Sequence, residues 1–239
     1  MIDHWWQKPW LIMDLETTPL PGTDPAQVTA ENHVPVQLGA VIMLGGVVVG
    51  RYQMFVDPGC PIALEATEVH GITDADVVGA HTIQQAASRL EILAQGTGIF
   101  VAYNGFAFDF RIMERVLGAD RWNAILAGRP QVDPRIIIGL DEVGRFWRGK
   151  GRHKLGAVAD RFGLLKRVPG TLHGAATDAE LTGLILWHLI HDSDWERELQ
   201  LLLSGDGKAA EELLRREAKK QQANFEAYLA TQKAQNQEG

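Results

Sequence analysis

Four acidic side chains at three separated places constrain how this chain can fold more than any other feature. Asp14 and Glu16 stand in Pro9-Trp-Leu-Ile-Met-Asp-Leu-Glu-Thr-Thr18, Asp109 closes Asn104-Gly-Phe-Ala-Phe-Asp109, and Asp178 closes His173-Gly-Ala-Ala-Thr-Asp178. Each lies where a buried apolar run meets a polar turn or where a helix begins. Asp14 and Glu16 alternate with Leu15, so on a strand both carboxylates share one face and Leu15 turns to the core. Two carboxylates that close raise each other's pKa unless a cation relieves them. Asp109 follows a glycine turn, and Asp178 falls in the first turn of a long apolar helix. Taken singly, each is accounted for by favourable charge at a helix N-terminus, worth a few tenths to about 1 kcal/mol. Gathered by one fold, the four supply the hard oxygen ligands that Mg²⁺ prefers, with positions left for water and phosphate. His173 precedes Asp178 in a segment of small residues that lets a substrate approach. A histidine of ordinary pKa, near about 6.5, can take a proton from water at neutral pH.

The apolar pattern predicts an α/β fold. Trp10 to Met13 reads as a buried strand ending in acids, and Pro19 to Pro35 as a proline-bearing loop. Gln37 to Val49 reads as a hairpin turning at Gly45-Gly46, and Arg51 to Val56 continues as a third strand. Helix spacing runs from Thr82 to Ala94, a buried strand from Gly98 to Tyr103, and a helix from Phe108 to Leu117. Asp133-Pro134 has the pattern of an N-cap followed by proline, opening a helix toward Phe146. Lys154 to Phe162 is a short helix stopped by Gly163, and Ala176 to His191 a long apolar one. The expected architecture is a mixed β-sheet flanked by helices. Past the hinge-like Gly205-Asp-Gly207 the composition turns to Ala, Glu, Lys, Arg and Gln. The division that follows is a main domain over 1–204 and an amphipathic helical tail over 205–239.

With 239 residues, 46% of them hydrophobic, the chain has material for one sizeable core. Its formal charge of −7 argues against wrapping of nucleic acid over the whole surface. A local exception is the glycine-interrupted run Arg145, Arg148, Lys150, Arg152, His153 and Lys154. Cations on flexible backbone suit phosphates, and the interleaved Phe146 and Trp147 suit stacking on unpaired bases. The tail's cations and acids nearly balance, which suits a partner helix or a self-association seam better than a DNA clamp. Cys60 is the sole cysteine, which excludes an intramolecular disulfide and a cysteine-based zinc site. No apolar run reaches the length of a membrane span, and the tryptophan-rich start lacks the pattern of a signal peptide. The expectation is a cytoplasmic protein with no membrane partner.

In this order the acidic blocks resemble the DEDD superfamily of 3′–5′ exonucleases, in its histidine-bearing DEDDh (DnaQ-like) branch, the group of the proofreading epsilon subunit of bacterial replicases. Glu68-Val-His-Gly-Ile-Thr73 and His153-Lys-Leu-Gly-Ala-Val-Ala-Asp-Arg-Phe-Gly163 add to the likeness, which runs from about Trp10 to Leu189. The resemblance implies a ribonuclease H-like fold and an exonuclease that releases nucleoside monophosphates from single-stranded ends. It implies that Asp14, Glu16, Asp109 and Asp178 hold two Mg²⁺ or Mn²⁺ ions, with Asp14 shared, and that His173 is the general base. Thr17, His70 and Asn104 are then expected at the terminal nucleotide, and Arg148, Lys150 and Arg152 along the strand. DNA is the favoured substrate. The alternatives are an RNA-trimming exonuclease of the same fold and a non-catalytic nucleic-acid or polymerase-binding subunit. Two departures bear on substrate preference: the long segment from Thr18 to Gln37, and Gln37 itself, which stands where many relatives have glutamate.

Overall fold

The structure is a computed structural model that describes residues 8–24, 27–140, 151, 153–169 and 172–191. Among these residues five strands form one mixed sheet in the order β3-β2-β1-β4-β5. They are β1 (Trp10–Pro19), β2 (His33–Leu44), β3 (Val47–Phe55), β4 (Ile99–Val101) and β5 (Gln131–Val132). The first three form an antiparallel meander, whereas β4 and β5 add to β1 in parallel. The hairpin turn is Gly45-Gly46, with φ of 59° and 76°, the left-handed conformation at two consecutive residues that a tight hairpin requires. The same turn touches the long helix α7 (Ala175–Ile190): a Cβ on Gly46 would fall 2.5 Å from the Trp187 ring.

Six further α-helices belong to the described fold: α1 (Leu64–His70), α2 (Ile83–Ala94), α3 (Asp109–Leu117), α4 (Ala119–Leu126), α5 (Pro134–Leu140) and α6 (Leu155–Arg161), with short 3-10 helices at Asp74–Val77 and Leu165–Arg167. Thr82 opens α2 with a capping box shared with Gln85, two otherwise orphaned backbone donors being satisfied reciprocally. Asp133 caps α5 as expected, its Oδ1 accepting from Arg135 N–H at 3.0 Å. The core is continuous on both sides of β1. Leu11, Ile12, Met13, Val41, Phe100 and Val101 are fully buried, with Leu90 of α2, Ile112 of α3 and Ile185 of α7 against them. A helix buried on nearly every side, as α7 is from Ala175 to Leu186, is expected to be mostly apolar; the buried polar exceptions are Thr177, Asp178, Glu180 and Thr182.

Several boundaries differ from the expectation. β1 does not stop at Met13 but runs through both acids to Pro19, because β2 pairs with it along that whole length. β2 begins at His33, inside the expected loop, and the third strand starts at Val47, immediately after the turn. Helices α1 and α4 and the two-residue β5 have too few periodic apolar positions for the sequence to reveal them. The expected helix toward Phe146 is described to Leu140. The tail from 205 and the aromatics Phe146 and Trp147 lie outside the described residues. No described helix is long and apolar enough to cross a membrane.

Candidate metal centre

The acids meet where β4 leaves β1. Parallel pairing between these strands ends at Ile12–Val101, and the chain then turns through Asn104 (φ 62°) into α3. Just past the last strand pair, Asp109 Oδ1 accepts from Leu15 N–H at 3.0 Å. A side chain thus takes a β1 donor that a longer β4 would otherwise occupy. That bond fixes the Asp109 carboxylate, 3% exposed, beside the strand carrying Asp14 and Glu16. The turn is itself braced by Asp133, 2% exposed, whose Oδ1 also accepts from Asn104 N–H at 2.8 Å.

From the other side α7 brings Asp178. Oxygens of Asp14, Glu16 and Asp178 all lie within 4.8 Å of one another, a spacing at which one ion could touch all three. Asp178 Oδ1 is buried and accepts no hydrogen bond. A buried carboxylate oxygen left without a donor is costly unless a cation completes it. Donor set and orphaned oxygen therefore both fit a divalent ion with a preference for oxygen.

Electrostatics point the same way. Burial, then the charges of Asp109, Asp178 and Glu16, hold the Asp14 carboxyl well above its usual range. Burial and then Asp178 push Glu16 to about 7. Asp109 also rises to about 7 through burial, against the pull of its own and the Leu15 N–H groups. Asp178 rises to about 6, again by burial, opposed by the charge and the backbone N–H of His173. Four raised carboxyls in one place are what desolvation and like charge produce when no cation compensates them. Asp133 likewise rises to about 7 by burial, against backbone donors from Asn104, Arg135 and Phe106.

His173 occupies the left-handed region at φ 67°, two residues before α7, and its side chain is exposed to solvent. A non-glycine residue held there is uncommon and marks a constrained position. His70, at the end of α1, lies beside it: Nδ1 accepts from Ile72 N–H at 3.0 Å, so the other ring nitrogen carries the proton. Burial lowers the His70 pKa, opposed by a bond to the Thr17 backbone and assisted by the charge of His173. Thr17 follows a register shift between Glu16 and Thr17 in the β1–β2 pairing, which redirects the strand just past the acids. Asp14, Glu16, Asp109, Asp178, His173, His70 and Thr17 are thus brought together. Asn104 is placed by its backbone at the adjoining turn. Arg148, Lys150 and Arg152 lie outside the described residues.

Three residues support the cluster through contacts that the sequence does not reveal. Gln37 and Gln53 accept from the first backbone donors of α7, and Asp133 ties the Asn104 turn to β5. A buried Gln on β2 and an acid directly after the short β5 are weak signals alone, since both residue types are common at turns and caps.

Residues 11–186 match the model of the RNase_T family, described as exonuclease. A DNA polymerase III PolC-type from Streptococcus agalactiae is 29% identical over 203 residues, covering 85% of this chain and 12% of that protein. This chain therefore spans a small fraction of that relative's length. Two solved structures share the fold. Exonuclease I of E. coli in complex with a dA16 oligonucleotide superimposes with a TM-score of 0.62 at 18% identity, over 81% of this chain and 43% of that one. The nuclease domain of 3'hExo, a DEDDh family member bound to rAMP, gives a TM-score of 0.58 at 16% identity, over 77% and 92%.

Proposed function

This chain belongs to the exonuclease family, and from that premise we propose that it is a metal-dependent 3′–5′ exonuclease of the histidine-bearing DEDDh group. It releases nucleoside monophosphates from single-stranded DNA ends. The observation that carries the reading is the convergence of Asp14, Glu16 and Asp178 oxygens within 4.8 Å of one another, with Asp109 fixed beside them through Leu15. A module that only binds nucleic acid has no use for such mutually repelling acids.

Asp14, Glu16, Asp109 and Asp178 would hold divalent ions, two Mg²⁺ or Mn²⁺ on this reading, with Asp14 as the shared ligand. When bound, such a pair stabilises both the attacking and the leaving oxygen of an in-line displacement at phosphorus. His173 takes the proton of the attacking water. Its exposed side chain lets it return that proton to solvent. Thr17 and His70 hold the terminal nucleotide: the strand is redirected at Thr17, and the His70 ring is fixed beside it by the bond its Nδ1 accepts from Ile72 N–H. Asn104, at the turn into α3, is assigned to the same nucleotide. Arg148, Lys150 and Arg152 take the phosphates further along the strand, with a salt dependence expected of each contact.

Single-stranded DNA is supported by the oligonucleotide bound to Exonuclease I. The rAMP held by 3'hExo supports RNA as a second substrate class. We assign the catalytic unit to residues 1–204 and a docking role to the tail at 205–239. A polymerase is the favoured partner, given the PolC-type relative, and self-association is the second. A cytoplasmic setting suits the single cysteine.

Labelled single-stranded DNA and RNA of the same sequence, incubated with purified protein and Mg²⁺ or Mn²⁺, test the reading. Stepwise shortening from the 3′ end with mononucleotide release is expected, faster on DNA. Absence of cleavage with either metal would leave only the binding role.

A further inference from the structure

We propose that Gln37 and Gln53 are positioning residues: their side-chain amides cap the helix that carries Asp178 and so hold its carboxylate against Asp14 and Glu16. The inference rests on the reading of that cluster as a metal-holding site. It starts from a missing cap. Helix α7 opens after Gly174, which has no side chain to accept from the first turn, yet the first backbone N–H groups of any helix have no partner within it. Where such an end is buried, other acceptors must serve. Here the sheet supplies them. Gln37 Oε1 accepts from Ala175 N–H at 3.1 Å and Gln53 Oε1 from Ala176 N–H at 3.3 Å.

The sheet register makes the capping positional. Glu16 stands opposite Gln37, Asp14 opposite Gly39, and Gly39 opposite Gln53. Paired residues project from the same face, so both glutamines share a face with the two acids of β1. Between them Gly39 lets the helix end lie directly on the strand. A Cβ there would come within 2.2 Å of the Ala175 carbonyl carbon. Contact at Gly39 sets the height of the helix over the sheet, and the two amide bonds set its slide and rotation. Arg51 adds to the hold from β3, donating to Thr177 Oγ1 at 2.8 Å and pairing with Glu180.

Asp178 depends on this support because its Oδ1 makes no hydrogen bond of its own. An amide is also the apt acceptor. It completes the helix end without adding another negative charge to a face that already carries three carboxylates. The glutamine at position 37 thereby acquires a role: it supplies an acceptor oxygen, and a glutamate would supply the same oxygen.

The test compares the full chain with Gln37→Met, which removes the acceptor at similar size, and Gln37→Glu, which keeps one. Mn²⁺ binding is read by the loss of the free-ion signal in electron paramagnetic resonance, and thermal melts verify folding. Gln37→Met is expected to weaken Mn²⁺ binding by about 10-fold or more, the range found when a residue supporting a ligand is removed. With saturating metal, kcat should fall while KM for a single-stranded oligonucleotide stays within about twofold, the mark of lost positioning rather than lost substrate contact. Gln37→Glu should recover Mn²⁺ affinity to within about threefold of the parent. Gln53→Met, on the exposed edge strand, should shift binding in the same direction by a smaller factor and serves if Gln37→Met does not fold. Unchanged Mn²⁺ affinity in folded Gln37→Met and Gln53→Met would overturn the inference, as would a Gln37→Glu protein no better than Gln37→Met. Those results leave the exonuclease reading standing if the parent binds Mn²⁺ and cleaves. A parent that binds no Mn²⁺ and cleaves nothing removes both.

Discussion

Replacing Glu16 with Gln is expected to stabilise the metal-free protein at alkaline pH while abolishing its metal-dependent activity. Glu16 ionises at about 7 in the fold, against 4.5 ordinarily, through burial and then the charge of Asp178. A carboxyl whose folded pKa is raised favours folding when protonated and loses that contribution as pH rises through the folded value. Above pH 7 the ionised side chain therefore costs about 1.4 kcal/mol for each pH unit between the two pKa values, roughly 3 kcal/mol as an upper bound. Part of the repulsion is shared with Asp178 and relaxes when either is neutralised, so a gain of about 2 kcal/mol is the working figure. For a domain of this size that corresponds to a melting temperature higher by roughly 4–8 °C. The assay is thermal unfolding by circular dichroism in a chelator, at about pH 8 and about pH 5, for parent and Glu16→Gln. The advantage should be present at the higher pH and shrink at the lower, where Glu16 is already protonated. Mn²⁺ should raise the parent's melting temperature and leave the variant nearly unmoved. A variant that melts at or below the parent at about pH 8 would refute the reasoning, because the side chain would then not be a buried charge awaiting a cation.

Asp14→Ala should abolish turnover with the fold retained, since it removes the ligand we propose to be shared and relieves the repulsion that raises its neighbours; activity against an unchanged circular dichroism spectrum measures this. His173→Ala should lower kcat by roughly 10²–10⁴-fold with Mn²⁺ affinity kept, and a collapse of affinity instead would make His173 a ligand. Gly39→Ala should destabilise the fold by about 1–3 kcal/mol or displace α7, since its Cβ meets backbone rather than a movable side chain; chemical denaturation read beside activity separates the two. In the metal-free state the parent itself should melt higher at about pH 5 than at about pH 8, because the Glu16, Asp109 and Asp178 carboxyls are all raised.

What the sequence made legible were features with a strong local signal. The Gly45-Gly46 turn, the helix spacing from Thr82, the Asp133-Pro134 start and the apolar length of α7 each announce themselves through residue chemistry within a few positions. The three acidic blocks could be expected to converge because their order carried a family likeness, not because spacing in the chain dictates proximity. Long-range pairing stayed hidden. β1 continues past Met13 only because β2 runs beside it, and no periodicity within Asp14 to Pro19 reports that. β5 has two residues and exists as a strand only through β4. The Asp109–Leu15 bond spans 94 positions, and the Gln37 and Gln53 caps of α7 span 138 and 123. Gln37 departs from a family pattern, but its purpose emerges only when the helix end is laid on Gly39.

The most direct test of the account is the anomalous signal of manganese in a crystal soaked with Mn²⁺. Two peaks about 3.5–4 Å apart, bounded by Asp14, Glu16, Asp109 and Asp178 with Asp14 touching both, are the predicted result. Carboxylates splayed apart with no peak among them, in protein that remains folded, would contradict it.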